Sequence, residues 1–163
     1  MGLDVTWYRK LREVPGCVGE DGGSYCDDHV RLWDHPDFPG RSDGIKCGVC
    51  YNVAKEDCGD AGSWSYSGYN RWREAVSMLA LGVMPRRVWD NPEDFAGQPF
   101  AELIHFADNE GTIGPVVAAR LAVDFATYDD KARDVMDEWD YKRYRMMADG
   151  CAAAADGGAL LFH

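Results

Sequence analysis

"HFADNEGTIGP", residues 105–115, is the stretch that decides how the second half of the chain folds. It contains an imidazole, an amide, two carboxylates and two glycines, and it ends in a proline. Glycine can adopt a positive φ, Asp and Asn side chains can hydrogen-bond to nearby backbone, and proline favours the first position of a helix. The stretch therefore predicts a turn in which a strand ends near Phe106 and a helix begins at Pro115.

The same turn also fits a site for a phosphate group. A glycine-bearing loop that leads into a helix N-terminus presents free N–H groups and the positive end of the helix dipole. Asn109, Gly111 and Gly114 are the candidate ligand-binding residues of this loop. The loop has no lysine of the P-loop type, however, and Asp108 and Glu110 would repel an anion unless a divalent cation lay between them.

A third interpretation makes this stretch a metal site or a general acid–base site built from His105, Asp108 and Glu110. Carboxylate oxygens suit magnesium or manganese, and an imidazole would add affinity for zinc or iron. If His105 lies on a strand, its side chain could point away from the loop. The mutual geometry of the three side chains therefore distinguishes a site from a turn.

Strand patterns lie on both sides of this turn. Alternation at period two predicts an opening strand over residues 2 to about 14, and "ALLFH", residues 159–163, predicts a short closing strand. "FAELIHF", residues 100–106, is short, apolar and bounded by turn signals, so a buried strand is expected there. Weaker strand candidates lie at residues 29–34 and 48–56.

Helical patterns lie between the outer strands. Apolar residues at helical spacing, with Ser67 or Gly68 as a cap, predict a helix over residues 69–81. Residues 84–99 contain three prolines and are expected to form a loop. A second amphipathic helix is predicted from Pro115, and a third helical region follows it.

Length and composition indicate one folded unit. A chain of 163 residues with 46% hydrophobic residues can bury the core of a domain. We expect a single α+β domain over residues 1–163, with a short mixed or antiparallel sheet, about three helices and an irregular Cys/Gly-rich segment at about residues 15–62. The sequence has no apolar run of membrane length and no signal-peptide pattern, which predicts a cytoplasmic protein without membrane contact.

The net charge of −11 bears on the choice of partner. An acidic surface disfavours direct binding to nucleic acid or anionic membranes and suits basic partners. One acidic stripe at helical spacing could imitate nucleic-acid phosphates or form a solvated helix face. It consists of Asp130, Asp134, Asp137 and Glu138.

The cysteines predict a possible structural zinc. A C-x2-H pair is followed by a C-x2-C pair, a spacing that is typical of two knuckles gripping one tetrahedral ion. Cys17 and Cys58 could substitute for the histidine, and the alternative is a set of buried or incidental thiols. The four candidate ligands are Cys26, His29, Cys47 and Cys50.

The segment "SGYNRWRE", residues 67–74, is a second candidate for ligand binding. It combines arginines with aromatic rings, which can stack a base or hold a phosphate. Trp72 falls on the core face of its predicted helix, whereas Arg71 and Arg73 are expected on other faces. The candidate ligand-binding residues here are Tyr69, Asn70, Arg71 and Arg73.

Several segments together resemble a family of small proteins that bacteriophages, prophages and some bacteria encode. These segments are "MGLDVTWY", "SGYNRWRE", "FAELIHFADNEGTIGPVVAARLAVDFA" and the closing "ADGGALLFH". The family has no established activity, so the resemblance assigns no catalytic residues. It implies a bacterial host cytoplasm during infection and an accessory gene, not a capsid or tail component.

Two functional hypotheses follow. The first is a non-enzymatic, phage-type accessory protein that binds a host protein or a small nucleotide-like ligand, for instance to counter host defence. The second is a metal-dependent hydrolase or transferase that acts on a phosphate-containing substrate through His105, Asp108 and Glu110, with Arg71 or Arg73 holding the anion.

Overall fold

The computed structural model describes residues 2–16, 29–106, 108 and 110–163. Within these residues the chain has the predicted α+β architecture, with five α-helices and two antiparallel sheets. The strands are β1 (Gly2–Tyr8), β2 (Arg12–Glu13), β3 (His29–Arg31), β4 (Cys50–Asn52), β5 (Cys58–Ser65), β6 (Gly111–Ile113) and β7 (Ala159–Phe162). The helices are α1 (Tyr66–Ala80), α2 (Pro85–Asp90), α3 (Ala101–His105), α4 (Pro115–Val135) and α5 (Glu138–Ala154).

The larger sheet has the strand order β5-β1-β7-β6, and the smaller one has the order β2-β4-β3. The alternation that predicts the opening strand is visible in β1, where Leu3 and Val5 are buried beside exposed neighbours. The predicted strand is nevertheless divided, because Lys10 adopts a φ of 51° and separates β1 from β2. The closing strand β7 forms as predicted and pairs with β1 on one side and β6 on the other.

Two helix starts agree well with the sequence. The helix α1 forms as predicted, but its cap is Ser65 and not Ser67 or Gly68, since the Ser65 side chain accepts a hydrogen bond from Gly68 N. The helix therefore begins at Tyr66, slightly before the predicted residue 69. Pro115 is the first residue of α4, as its fixed φ and missing N–H predict. In the described residues, no helix is long and apolar enough to cross a membrane.

The prediction of a strand over residues 100–106 is wrong, since residues 101–105 form α3. Phe100 opens this helix with a φ of 58°, and its N–H donates to Asp124 Oδ2 on α4 at 2.8 Å. Leu103 and Ile104 are fully buried on it. A short apolar run fits a buried strand and a buried helix equally well, so tertiary contacts decide between them. The predicted loop at residues 84–99 likewise contains α2.

An aromatic cluster joins α1 to the larger sheet. Trp72 is fully buried, as predicted, and lies between Trp64 of β5 and Tyr69 of its own helix, with ring centroids 5.4 and 6.0 Å away. Phe162 of β7 contacts Phe106 with a centroid distance of 5.0 Å. The core thus brings β5, α1, β7 and the end of α3 together.

Candidate functional site

The N-terminus of α4, the proposed phosphate position in the 105–115 turn, is covered by the chain itself. Gly114 N donates to Arg41 O at 2.7 Å, and Val116 N donates to Asp43 O at 3.3 Å. A Cβ on Gly114 would lie only 2.5 Å from the carbonyl oxygens of Ser42 and Asp43. The glycine is therefore needed for a close backbone approach, and these N–H groups are already occupied.

Gly111 is likewise explained by packing. Its φ of 130° favours glycine, and a Cβ there would lie 2.8 Å from the Phe106 ring. Asn109, the remaining ligand candidate of this loop, lies outside the described residues. The described glycines are thus explained by backbone packing and not by a ligand. The predicted turn is only partly right, because residues 111–113 form the strand β6 before α4 begins at Pro115.

His105, Asp108 and Glu110 have different direct partners. His105 Nδ1 accepts a hydrogen bond from Arg41 at 3.3 Å, Asp108 pairs with Arg73 at 3.5 Å, and Glu110 is exposed. In the described part of the chain, no group of three or more His, Cys, Asp or Glu side chains lies close enough to hold a metal ion. The structure does not bring these three together as metal ligands, and their catalytic role stays a prediction.

The surroundings of His105 favour its neutral form. Partial burial lowers the pKa of His105, and the nearby cations of Arg41 and Arg73 lower it further. Because arginine can only donate, Nδ1 is the acceptor and the ring proton of the neutral imidazole is on Nε2. The Phe38 ring packs edge-on against the imidazole with centroids 5.1 Å apart.

We expect this histidine to make the fold less stable in acid. A His pKa below the ordinary 6.5 contributes stability that is present above that value and is lost as pH falls through the folded-state pKa. The free energy of unfolding, measured by urea denaturation, should therefore drop between about pH 8 and about pH 5. The drop should be smaller in His105→Gln, and an equal drop in both proteins would contradict this assignment.

Arg73 is buried, contrary to the expectation that it lies on a ligand-facing side of its helix. Only 4% of it is exposed, and its guanidinium lies 4.7 Å from the Tyr69 ring centroid and 5.1 Å from that of Trp89. Nη1 donates to Phe106 O at 2.7 Å and to Ile104 O at 3.4 Å. The Arg73 side chain therefore links α1 to the end of α3 by hydrogen bonds.

Its neighbours in the same motif share this structural role. Asn70 Oδ1 accepts a hydrogen bond from Arg73 Nη2, which also faces Asp108. Tyr69 is fully buried, and burial raises the pKa of its hydroxyl. Of the four ligand candidates in "SGYNRWRE", Arg71 alone has a largely exposed side chain, 69% of which is accessible.

Arg71 borders a concave pocket where the start of α1 meets α5. The pocket, which we call the α1 pocket, has a volume of about 380 Å³. It is lined by residues that include Trp64, Ser65, Ser67, Arg71, Asp140 and Arg143.

Hydroxyl groups and cations share this pocket. The Ser65 and Ser67 hydroxyls lie 3.3 Å apart at the N-terminus of α1, where the helix dipole adds positive partial charge. Arg71 Nη2 lies 3.9 Å from Asp140 Oδ1, and the Arg143 guanidinium stacks on the exposed Trp139 ring at 5.4 Å.

The carboxyl group of Asp140 is the least exposed charge in this set, with 12% of its side chain accessible. Burial raises the pKa of Asp140, as does Asp137, whereas Arg71 and Arg143 oppose the shift. The sequence did not predict Asp140 or Arg143 as site residues, because they lie on α5, far along the chain from Arg71. The one local feature that marks this pocket in the sequence is "SYSG", residues 65–68, where hydroxyl groups stand at a helix start close to Arg71.

The predicted zinc ligands are only partly described. Cys26, like the possible substitute Cys17, lies outside the described residues. Cys50 is disulfide-bonded. Cys47 and Cys58 are free thiols, and His29 lies on β3. The zinc assignment stays a prediction.

Compared with protein-family models, with curated proteins and with solved structures, the chain gives no match. The case for a function therefore rests on the geometry of its own residues.

Proposed function

We propose that this chain is a non-catalytic accessory protein of phage type that binds a phosphate-containing, nucleotide-like ligand in the α1 pocket. The observation that carries the proposal is the meeting of two arginines, Arg71 from α1 and Arg143 from α5, at one concavity. These two cations lie on a protein whose net charge is −11, so an anionic ligand would be drawn to them and not to the rest of the acidic chain.

The pocket lining suits a phosphate group. Guanidinium groups present N–H donors that match phosphate oxygens in pairs, and charge-assisted hydrogen bonds of this kind are among the stronger ones. The Ser67 hydroxyl and the first turn of α1 add donors and positive partial charge. The Ser65 hydroxyl accepts the capping hydrogen bond from Gly68 N, which leaves Ser67 as the hydroxyl that could donate to a ligand.

Asp140 and the pocket size support a ligand larger than phosphate alone. A carboxylate can accept hydrogen bonds from ribose hydroxyls or from an amino group of a base. A volume of about 380 Å³ lies within the range of pockets that bind small organic molecules. A nucleotide-like ligand offers a phosphate group for the two arginines and hydroxyl or amino groups for Asp140.

The acidic stripe gives less support to a basic host protein as the partner. Asp130 is paired with Arg133, and Asp137 caps α5 by accepting from Asp140 N at 2.8 Å. Two of its four carboxylates are thus engaged within the chain.

We expect Arg71→Ala and Arg143→Ala each to weaken nucleotide binding by about ten- to a hundred-fold, because each removes a charge-assisted contact of about 1.5–3 kcal/mol. Isothermal titration calorimetry with nucleoside mono-, di- and triphosphates measures this. Arg86→Ala is the matched control, since this exposed arginine is paired with Asp90 on α2. Unchanged affinity in both pocket variants, or no binding of any nucleotide by the wild-type protein, would refute the proposal.

A further inference from the structure

The turn between β1 and β2 places a lysine in an unfavourable backbone conformation. Lys10 has a φ of 51°, a left-handed value that residues with a Cβ adopt at a cost and glycine adopts readily. The backbone is held there by two hydrogen bonds, from Lys10 N to Asp156 O at 2.8 Å and from Leu11 N to Gly157 O at 3.0 Å. A lysine at a position that suits glycine points to a use for its side chain.

That lysine borders a second pocket, which we call the β1–β2 pocket. It has a volume of about 320 Å³ and is lined by Lys10, Arg12, Asn52, Val53, Ala54 and Asp57. Lys10 and Arg12 are exposed, and neither forms an ion pair with another described residue. Asn52 lies directly opposite Arg12 in the β2–β4 pairing, so the two side chains share one face of the sheet.

The one carboxylate of this pocket is already engaged. Asp57 Oδ1 accepts a hydrogen bond from Arg9 Nε at 2.6 Å, and Arg9 lies on the β1 side of the turn. Because Asp57 is paired with Arg9, the charges of Lys10 and Arg12 are left uncompensated in the pocket. An anion is the ligand that would compensate them.

We propose that the β1–β2 pocket binds the phosphate group of a phosphomonoester. Lys10 supplies a compact positive charge, Arg12 supplies paired N–H donors, and the Asn52 amide supplies a neutral donor. Val53 and Ala54 give the pocket an apolar wall that fits the carbon part of an ester. This site is separate from the α1 pocket and does not depend on the function proposed for it.

The test uses Arg71→Ala/Arg143→Ala as the parent protein, so that the α1 pocket does not contribute. Glycerol 3-phosphate, inorganic phosphate and citrate are titrated, and amide signals are followed by ¹H–¹⁵N NMR. Glycerol 3-phosphate should shift the signals of Lys10, Arg12 and Asn52. Lys10→Gly and Arg12→Ala should each weaken its binding at least about tenfold.

The thermal stability of Lys10→Gly shows whether weaker binding comes from the lost side chain or from a disturbed fold. Glycine relieves the left-handed strain, so Lys10→Gly should raise the thermal unfolding midpoint by about 2–4 °C while it weakens binding. Lys142→Ala, which removes one exposed lysine from α5, is the matched control. The proposal is overturned if Lys10→Gly binds like the parent, if no signal of the pocket shifts at about 10 mM ligand, or if citrate binds as tightly as glycerol 3-phosphate.

Discussion

Arg73→Ala is expected to lower the free energy of unfolding by about 2–4 kcal/mol. The substitution leaves the carbonyl oxygens of Ile104 and Phe106 without their guanidinium donor. A buried polar group that loses its partner costs about 1–3 kcal/mol. Phe106 O is left in that state, whereas Ile104 O keeps a second donor, Trp89 Nε1, at 2.7 Å. Arg73→Ala also removes the guanidinium from between the Tyr69 and Trp89 rings, where a cation–π contact is worth about 1 kcal/mol.

Arg71→Ala is the matched control for this prediction. It removes the same side chain two residues earlier on α1, from a position that is 69% exposed. Such a surface change should alter stability by no more than about 0.5 kcal/mol. Urea denaturation of the two variants and the wild-type protein measures the difference. If Arg73→Ala were as stable as Arg71→Ala, the assignment of Arg73 as a stabilising contact between α1 and α3 would be wrong.

The position of Arg73 shows what sequence patterns can and cannot predict. Tyr69 and Arg73 are four residues apart and so lie on one helix face, but a charged residue at that spacing is normally assigned to the surface. The carbonyl oxygens that accept its hydrogen bonds belong to Ile104 on α3 and to Phe106 directly after it, more than thirty residues later. The local pattern predicts α1 itself. It cannot predict that the buried Arg73 guanidinium finds its hydrogen-bond acceptors in a distant part of the chain.

The same limit applies to the candidate site. The start of α4 at Pro115 and the strand β7 follow from local turn chemistry and hydropathy, and both were predictable. The α1 pocket instead depends on how α5 packs beside α1, which brings Arg143 and Asp140 close to Arg71. No spacing within either helix encodes that meeting, because it is a property of tertiary packing.

Gly114→Ala is expected to destabilise the protein by about 2–4 kcal/mol. With a φ of −81° the backbone of Gly114 suits any residue, so the cost is steric. The new Cβ would lie 2.5 Å from two backbone oxygens, and the loop of residues 41–43 must move away from α4. That movement would break the bonds from Gly114 N to Arg41 O and from Val116 N to Asp43 O, each worth about 1 kcal/mol.

Gly82→Ala provides the contrast that tests this explanation. Gly82 follows α1 with a φ of 66°, and a Cβ there would meet no atom within 4 Å. Its replacement should therefore cost only the backbone strain of about 1 kcal/mol. Urea denaturation should show that Gly114→Ala is clearly less stable than Gly82→Ala. In Gly114→Ala, amide hydrogen exchange should accelerate at Val116 N and stay unchanged at Gly82 N. The reverse order of stability would mean that the loop yields easily and does not hold the start of α4.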